Sequence, residues 1–566
     1  MTLMFEAAIS ERTRRAPIVF ERFLLASLFV AVAGCATLPP GSDFPKEPST
    51  AFAHPEETRL GRALAKPSAQ HSGQSGFRVV PYGIEGLLLR TQLIRAAQRT
   101  LDIQYYIFAE DSTGKLVQQS ILDAADRGVR VRLLIDDENS FRRRDAPDII
   151  ASLNEHKNIE LRLFNPFSYR GQFPLLRYID IVVNEARVNH RMHNKLLVAD
   201  NAVAVVGGRN VADEYFDAGT PMIRFGDFDV AAVGPVVPQL SSSFDAFWNS
   251  SLSIPQQALA PVAPMTPSLP EARAELAEHR SNIDAGDIER RLNSGDPLNG
   301  MLDGRLSLVW ANATAVADPP EKAEVPPGER VHSPVARALI SEMRKSTREV
   351  DIVSPYFVPG ARVLEVLKEL RQHNVRLRIL TNSLSSTDAP VVHSGYQRYR
   401  LPLLEAGVEL SEIRAAADGS GSASGSGSGT IGSRPEARGS SSSGGSANGD
   451  DAPFALHAKL YVFDRQRVFI GSANFDRRSF KVNTEIGLLI DSPVLARQIV
   501  AQFEQFAASP NSYRLSLESE GPLGPRIRFK TQVDGKTVYL EDDPDTTPWR
   551  RFEVAMYSML PIDELL

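Results

Sequence analysis

Two stretches of the chain share one succession of apolar and polar positions. The first, Thr100–Asp137, starts with an apolar run, continues with apolar residues at helical spacing, and ends in an alternating β-branched run after Gly128. The second, Glu349–Asn382, repeats this order, so that LDI…YIF corresponds to VDI…PYF. A strand, a helix and a strand are therefore predicted twice. The period of about 250 residues predicts an internal duplication of two α/β halves.

The composition of the intervening segments predicts the organisation of the chain. The first half is predicted at residues 76–254 and the second at residues 331–515. Residues 255–330 are rich in Pro, Ala and Glu and are predicted to connect the halves, and residues 516–566 form a C-terminal extension. Within the second half, residues 418–451 are largely Gly and Ser. This segment cannot bury enough apolar surface to fold, so it is predicted to be a flexible surface loop.

The N-terminus has the layout of a secretory signal. A basic, arginine-containing start precedes the apolar run FLLASLFVAVAGC, which ends at Cys35. The run is shorter than the about 20 residues of a membrane-spanning helix. The ending VAGC resembles a bacterial lipobox, in which Cys35 is lipidated, although a chance buried cysteine is the alternative. Residues 1–34 are thus predicted to be a lipoprotein signal peptide and residues 35–75 a tether. This predicts a protein that is lipid-anchored in the bacterial cell envelope, facing the periplasm, at the inner or the outer membrane.

Charge and cysteine content restrict the function classes. The 566 residues have a net charge of −6 and a pI of about 6.0, which argues against a general nucleic-acid-binding protein, because such proteins usually have a basic balance. One cysteine excludes an intramolecular disulfide.

Each half contains a polar cluster in an otherwise apolar stretch. The stretches RMHNKLLVADNAVAVVGGRN, which ends at Asn210, and LHAKLYVFDRQRVFIGSAN, which ends at Asn474, align without a gap. Residues two apart share one face of a strand, so the histidine and lysine of each H-x-K sequence are predicted to point the same way. A turn centred between Asn201 and Ala202 places Asn210 opposite the histidine of its strand, and the second turn does the same for Asn474. The aligned pairs are His193 with His457, Lys195 with Lys459, Asp200 with Asp464, and Asn210 with Asn474.

Two such clusters supply the groups that phosphodiester transfer needs without a metal. A neutral histidine attacks phosphorus, and a protonated histidine delivers a proton to the leaving oxygen. Lysines and asparagines hold the non-bridging oxygens and offset the negative charge of the transition state. A single H-x-K sequence is more often an ordinary surface strand, but the matched pair favours catalysis. No metal or cofactor is predicted, because His190 and His193 fall on opposite faces of a strand and no Cys or carboxylate stands at ligand spacing. Asp200 and Asp464 lie at the turns and are predicted to be structural.

The repeated pattern H-x-K-x4-D-x6-G-[GS]-x-N resembles the signature of the phospholipase D superfamily, and its surroundings resemble the cardiolipin synthase branch. The resemblance covers about Phe77 to Asn511. It implies two α/β domains, each a mixed β-sheet flanked by helices, that share one active site at their interface. It also implies a phosphatidyl-histidine intermediate, with His193 as the nucleophile and His457 as the general acid.

The same resemblance implies an acidic residue after each motif that orients the imidazole. Glu485 fits this position in the second half. In the first half Asp227 fits, with Asp229 as the competing choice. Gly208 stands where many members have serine, which removes one possible phosphate donor.

The function predicted from these residues is that of a phosphatidyltransferase that makes cardiolipin. Its substrates are phospholipids, namely phosphatidylglycerol and a phosphatidyl donor whose headgroup the sequence leaves open, as it does the oligomeric state. One alternative is a phospholipase D-type phosphodiesterase that hydrolyses phospholipid or, less consistent with the charge, nucleic acid. The other alternative is a non-catalytic envelope lipoprotein, against which stands the completeness of both motifs.

Two further segments leave their interpretation open. His393, Tyr396 and Arg400 share one helical face, which is predicted to be an ordinary helix surface or, less favoured, a contact for a phospholipid headgroup. Residues 547–566 alternate bulky apolar residues with a basic pair and are predicted either to lie along an interface or to pack on the domain core.

Overall fold

The computed structural model describes the following residues: 38–138, 148–169, 183–218, 221–259, 266–284, 295–326, 331–415, 452–518, 525–533 and 535–560, with single residues at 176, 179 and 329. The predicted signal peptide, Cys35 and the Gly/Ser segment 418–451 lie outside these ranges.

Both halves contain the predicted strand, helix and strand. In the first half these are β2 (Thr100–Tyr105), α3 (Ser112–Asp126) and β3 (Arg130–Asp136). Asp111 caps α3 by accepting a hydrogen bond from the backbone N–H of Gly114, and Gly128 follows the helix with a φ of 95° that favours glycine. The second half repeats the order with β11 (Glu349–Val353), α10 (Gly360–Gln372) and β12 (Arg376–Asn382), so the predicted duplication is confirmed.

The first half forms a mixed sheet in the order β9–β4–β3–β2–β5–β6–β8–β1. The pairs of β3 with β2 and β4 are parallel and the others antiparallel. Besides β2 and β3, its strands are β1 (Ser75–Val80), β4 (Ile159–Phe164), β5 (Leu196–Ala199), β6 (Val203–Gly207), β8 (Asp229–Val233) and β9 (Ser253–Pro255).

The second half forms a sheet of the same order, β18–β13–β12–β11–β15–β16–β17–β10, which β19 and β20 extend. Its strands are β10 (Val309–Ala317), β11 (Glu349–Val353), β12 (Arg376–Asn382), β13 (Glu409–Ile413), β15 (Leu460–Phe463), β16 (Arg467–Gly471), β17 (Ile486–Asp491), β18 (Ser512–Glu518), β19 (Arg526–Val533) and β20 (Lys536–Leu540). The two sheets therefore have one topology.

The segment between the halves contributes to both of them. β10 pairs with β17 and also with β1, although it lies inside residues 255–330, which the sequence predicts to be a connection. In the same segment, a helix at Leu269–Asp284 buries Ala272 and Leu276 in the core of the first half. A second link is the short parallel pair of β7 (Arg224–Gly226) and β14 (Phe454–Leu456), one strand from each half.

The described residues form three apolar cores, one central and two outer. The central core contains inward residues of both sheets, such as Leu196 and Leu460, together with α6 and α12. The outer cores lie between each sheet and its own outer helices. In chain order the helices are α1 (Arg59–Gln70), α2 (Gly83–Ala96), α3, α4 (Ile149–Leu153), α5 (Glu185–Val188), α6 (Val236–Asn249), α7 (Leu269–Asp284), α8 (Pro297–Leu302), α9 (Pro334–Lys345), α10 (Gly360–Gln372), α11 (Pro390–Glu405), α12 (Pro493–Ala507) and α13 (Pro548–Ser558). None of the helices in the described ranges combines the length and apolar character needed to cross a membrane.

Candidate functional site

The H-x-K residues lie just before strands rather than within them. β5 begins at Leu196 and β15 at Leu460, so each histidine and lysine precedes its strand and the predicted strand position is wrong. The predicted register is also wrong by one residue, because Ala199 pairs with Val203. Asp200 and Asn201 adopt left-handed backbone, with φ of 54° and 51°, and three residues separate the paired strand ends.

Two parallel bridges between the halves set the positions of the histidines. Met192 bridges to Thr484, and the backbone N–H of His193 donates to the carbonyl of Thr484 at 3.0 Å. In the other direction, Leu456 pairs with Gly226, and the N–H of His457 donates to the carbonyl of Gly226 at 2.8 Å. Each histidine therefore follows directly after a contact with the opposite half.

The residue after each bridge in the partner segment is a carboxylate, and it contacts the histidine. Nδ1 of His193 lies 2.9 Å from Oε2 of Glu485, and Nδ1 of His457 lies 2.5 Å from Oδ2 of Asp227. All four side chains are buried. Each half thus supplies the carboxylate for the histidine of the other half, and both histidines belong to one site.

The competing choice for the first carboxylate, Asp229, lies elsewhere. Its Oδ2 accepts from Arg90 at 2.8 Å and from Arg209 at 3.1 Å, and all three side chains are buried. Asp229 therefore belongs to a buried charge cluster with Arg90 and Arg209, and Asp227 is the residue that contacts the imidazole.

The two lysines lie beside the histidines. Nζ of Lys195 donates to the carbonyl of His193 at 2.7 Å and lies 5.4 Å from the centre of the Tyr106 ring. Nζ of Lys459 lies 3.1 Å from Nε2 of His457 and also contacts the carbonyl of that residue. The site therefore holds two cationic groups next to two imidazoles.

Aromatic rings pack against both imidazoles. Tyr106 lies edge-on to His193 with ring centres 5.2 Å apart, and Tyr215 does the same to His457 at 5.0 Å. Phe225 contacts the second imidazole at 5.0 Å. These rings restrict the orientation of the histidines, and sequence reasoning missed them, although Tyr106 belongs to the repeated strand segment.

The two carboxylate side chains differ in length, and the residue that faces each one differs in size accordingly. Glu485 accepts from the hydroxyls of Ser472 at 2.5 Å and Ser479 at 2.8 Å. The equivalent of Ser472 in the first half is Gly208, where an added Cβ would lie 2.2 Å from Oδ1 of Asp227. Glycine at this position is therefore required by the space that the shorter carboxylate occupies.

The two asparagines are not equivalent. The carboxamide of Asn210 is bound within the chain, because its oxygen accepts from the N–H of Ile107 at 3.2 Å and its nitrogen donates to the Tyr215 hydroxyl at 2.9 Å. The buried side-chain oxygen of Asn474 has no hydrogen-bond partner among the described residues. Asn210 therefore stabilises the wall of the site, whereas the carboxamide of Asn474 retains an acceptor.

A buried ion pair that the motifs do not reveal lies behind Glu485. Nζ of Lys322 donates to Asp318 at 2.7 Å and to the carbonyl of Ser479 at 2.7 Å, and the backbone N–H of Glu485 donates to Asp318 at 3.2 Å. This pair holds the segment that carries Glu485. Nothing in its local sequence distinguishes it from a surface ion pair.

Burial and the lysine charges determine the protonation of the site. Burial lowers the pKa of both His193 and His457 well below the ordinary value, and the two lysines lower it further. Burial raises the pKa of Glu485 to about 7 and lowers the pKa of Lys459 to about 8. Both imidazoles are therefore neutral at pH 7 before a substrate binds.

Other polar residues singled out in the sequence lie outside the site. Asp200 accepts from the backbone N–H groups of residues 98–100, and Asp464 accepts from those of residues 347–349. Both carboxylates tie a turn to the start of a central strand. His190 contacts the carbonyl of Val482 at 3.0 Å. Among the described residues, no group of three or more His, Cys, Asp or Glu side chains is arranged to hold a metal ion.

The polar face of α11 is neither an ordinary surface nor a headgroup contact, so both interpretations of it are wrong. Arg400 donates to Glu412 at 2.7 Å and to Asp543 at 2.7 Å, and His393 lies 3.0 Å from the same guanidinium. His393, Tyr396 and Arg400 are all buried. The hydrogen bond from Arg400 to Asp543 joins α11 to the C-terminal extension, which covers this face of the helix.

Comparison with known proteins agrees with this geometry. Residues 91–231, 339–424 and 430–507 match the family described as cardiolipin synthase, PLD-like domain. The chain is 37% identical over 515 residues to cardiolipin synthase C of Escherichia coli (strain K12), covering 90% of this chain and 100% of that protein. It is 31% identical over 513 residues to an uncharacterized protein of Helicobacter pylori (strain J99), covering 90% and 93%.

A solved structure supports the fold. The crystal structure of phosphatidylserine synthase from Haemophilus influenzae Rd KW20 matches with a TM-score of 0.51 at 12% identity, covering 90% of this chain and 99% of that chain. The duplicated sheets and the paired H-x-K motifs agree with the family match and with the identity to a curated relative over its whole length. The chain therefore belongs to the cardiolipin synthase family of phospholipase D-like enzymes.

Proposed function

We propose that the protein is a phosphatidyltransferase that joins two phospholipids to form cardiolipin, with phosphatidylglycerol as the acceptor. The observation that carries the proposal is the pair of histidines in one site, each in contact through Nδ1 with a carboxylate of the opposite half. The name of the relative from Escherichia coli supports the product.

In the first step His193 attacks the phosphorus of the donor phospholipid. A proton on Nδ1 that is donated to Glu485 leaves the lone pair on Nε2 free for the attack. A nitrogen–phosphorus bond forms and the bond from phosphorus to the headgroup oxygen breaks. His457 gives a proton to that oxygen, and the phosphatidyl group remains on His193.

The general acid has to gain a proton after the substrate has bound. Burial and the lysines favour the neutral imidazole of His457, but a bound phosphodiester places a negative charge between Lys195 and Lys459. This charge offsets the field of the lysines and favours the imidazolium, whose Nδ1 proton Asp227 accepts. Substrate binding therefore favours protonation of His457, the general acid.

In the second step the acceptor replaces the histidine. His457, now neutral, takes the proton of a phosphatidylglycerol hydroxyl, whose oxygen attacks the phosphorus. The bond from phosphorus to oxygen forms, the bond to His193 breaks, and cardiolipin leaves. Lys195 and Lys459 stabilise the negative charge of both transition states.

We further propose that Cys35 is lipidated after removal of residues 1–34 and anchors the protein to an envelope membrane, facing the periplasm. The sequence VAGC supports this proposal. Mass spectrometry of the mature protein should find a diacylglyceryl group on an N-terminal Cys35, and an unmodified cysteine there would contradict it.

Product analysis tests the proposed reaction. Purified protein in detergent micelles with labelled phosphatidylglycerol, alone or with a second phospholipid as the donor, should form labelled cardiolipin, and the His193→Asn variant should not. Phosphatidic acid as the main product would identify a hydrolase instead. No turnover of any phospholipid by the folded protein would favour a non-catalytic lipoprotein.

A further inference from the structure

The C-terminal helix α13 (Pro548–Ser558) has an apolar face that no other part of the described chain covers. Trp549, Phe552, Met556 and Met559 recur every three or four residues and are 71%, 54%, 53% and 84% exposed. Leu560, just after the helix, is 50% exposed. The rings of Trp549 and Phe552 lie 5.6 Å apart, so the surface is continuous. We call these five residues the apolar face.

The opposite side of α13 attaches the helix to the second half. Val554 is buried, and the backbone carbonyl of Ser558 accepts from Arg398 of α11 at 2.6 Å. Because α13 is attached by this side, its apolar face does not pack on the core of the second half. The helix is held so that this face points away from the protein.

The N-terminal end of α13 lies near the active site. Arg550 donates to the carbonyl of Thr387 at 2.7 Å, and the next residue, Asp388, accepts from the hydroxyl of Tyr356 at 2.7 Å. Burial, and then the charge of Asp388, raise the pKa of Tyr356. The charge of Asp388 also acts on Lys459, whose Nζ lies 3.1 Å from Nε2 of His457. The N-terminal end of α13 is thus joined to the neighbour of a residue whose charge reaches the site.

The size and charge of the face favour a lipid surface over a second copy of the chain. An 11-residue helix is about 17 Å long and about 10 Å wide, a footprint of roughly 170 Å². A stable protein interface buries roughly 800 Å² per partner, several times more. Arg551 of the same helix is exposed and suits anionic headgroups.

We propose that α13 docks in the surface of an anionic phospholipid bilayer, with its apolar face among the acyl chains, and so holds the active site against the membrane. The inference rests on the proposed function, because substrates that reside in a bilayer have to reach the buried histidines from that surface. A lipid anchor at Cys35 would only tether the protein, whereas α13 would orient it.

The test measures insertion of Trp549 directly, so that it does not depend on activity or on an N-terminal anchor. Full-length protein is bound to vesicles of phosphatidylglycerol and phosphatidylcholine, the latter brominated within its acyl chains. The chain has three tryptophans, so the Trp549→Phe variant gives the background signal. Lipid bromines should quench the fluorescence of Trp549, and the Phe552→Ser/Met556→Ser variant should lose this quenching.

A kinetic experiment separates docking from chemistry. The Phe552→Ser/Met556→Ser variant should turn over phospholipid in vesicles at least about tenfold more slowly than the wild type, because two anchoring side chains are lost. Its rate on short-chain phospholipid below the micelle concentration should be unchanged. The matched control is Val494→Ser/Val533→Ser, which removes apolar side chains that are 42% and 45% exposed elsewhere, and it should behave as wild type.

Three outcomes overturn the inference. Vesicle-bound wild-type protein whose Trp549 is not quenched by the bromines would show that the helix does not insert. A dimer that dissociates in the Phe552→Ser/Met556→Ser variant would assign the face to a second copy. Equal loss of activity on vesicles and on short-chain substrate would show that the helix acts on folding or chemistry. If the wild type is inactive on every phospholipid, the proposed function fails, whereas the quenching still decides on docking.

Discussion

Nδ1 of His193 lies 2.9 Å from the carboxylate of Glu485, although 292 residues separate them in the chain and they belong to opposite halves. His457 and Asp227 form the reciprocal contact at 2.5 Å across 230 residues. Neither half therefore supplies the carboxylate that contacts its own histidine. The two histidines share one site because the two sheets pack on one central core.

Removing either carboxylate charge should slow the reaction through the histidine of the other half. Glu485→Gln keeps a hydrogen-bond acceptor but no longer stabilises the imidazole proton, so we expect turnover to fall by about 10²–10⁴-fold. Asp227→Asn should have a loss of similar size. Steady-state kinetics on micelles measure both, with Glu365→Gln, an exposed glutamate, as the control. Wild-type turnover in Glu485→Gln would contradict the orienting role.

Covalent trapping should distinguish the two histidines. We expect a labelled phosphatidyl donor, quenched in acid during turnover, to label His193, because its Nε2 is the nucleophile of the proposed mechanism. His193→Asn should abolish the label, and His457→Asn should slow its formation and its decay by about 10²–10⁴-fold, since that residue acts as acid and then as base. Peptide mapping locates the label. A label on His457 would reverse the assignment, and no label on either residue would exclude a covalent route.

The limited space around Gly208 leads to a prediction that the alignment of the two repeats does not suggest. Gly208→Ala places a Cβ 2.2 Å from Oδ1 of Asp227, so this carboxylate has to move away from His457. We expect a loss of activity similar to that of Asp227→Asn. Ser472→Ala at the equivalent position removes the hydrogen bond to Glu485 and the one that Ser472 accepts from the N–H of Ile486, but it does not displace the carboxylate. Its loss of activity should therefore be smaller, and the free energy of unfolding should fall by about 1–3 kcal/mol. Parallel turnover and thermal unfolding measurements compare the two, and a fully active Gly208→Ala would refute the crowding argument.

The alkaline limb of the pH profile should report the loss of charge on the buried lysines. Burial lowers the pKa of Lys195 well below its ordinary value and that of Lys459 to about 8, so the positive charge of Lys459 is present below pH 8 and is lost above it. Turnover should therefore decline above about pH 8. The acid limb should lie below pH 6.5, because burial and the lysines keep His193 neutral until the pH is lower than for a free imidazole. Lys459→Arg, which stays charged, should move the alkaline limb upward, and an unmoved limb would assign it to another group.

The cluster around Asp229 should govern stability. Asp229→Asn leaves the buried guanidiniums of Arg90 and Arg209 without their carboxylate, so we expect a loss of about 3–5 kcal/mol in the free energy of unfolding. Asp303→Asn, which breaks an exposed ion pair with Arg305, should leave the unfolding midpoint unchanged. Urea denaturation compares the two variants. Equal midpoints for both would show that the buried cluster is not stabilising.

Local sequence determined the features that depend on nearby residues. The alternation in Thr100–Asp137 and its repeat predicted strand, helix and strand, because periodicity follows directly from backbone geometry. The ungapped match between the H-x-K stretches marked His193 and His457 before any contact was known. The resemblance that these motifs carry also proposed Glu485 and Asp227, with Asp229 left as a rival.

The tertiary structure decided what depends on long-range pairing. The parallel bridges of Met192 with Thr484 and of Leu456 with Gly226 join distant segments, and neither leaves a pattern in its own stretch. Because of these bridges, Asp227 rather than Asp229 contacts a histidine, and each carboxylate contacts the histidine of the opposite half. The predicted register of the turn at Asp200 is wrong by one residue for a related reason. The length of the turn depends on left-handed backbone at Asp200 and Asn201, which these residue types can adopt but which no local sequence pattern predicts. Burial of the α11 face beneath the C-terminal extension was likewise invisible in sequence, because a helical pattern shows which residues share a face and not what covers it.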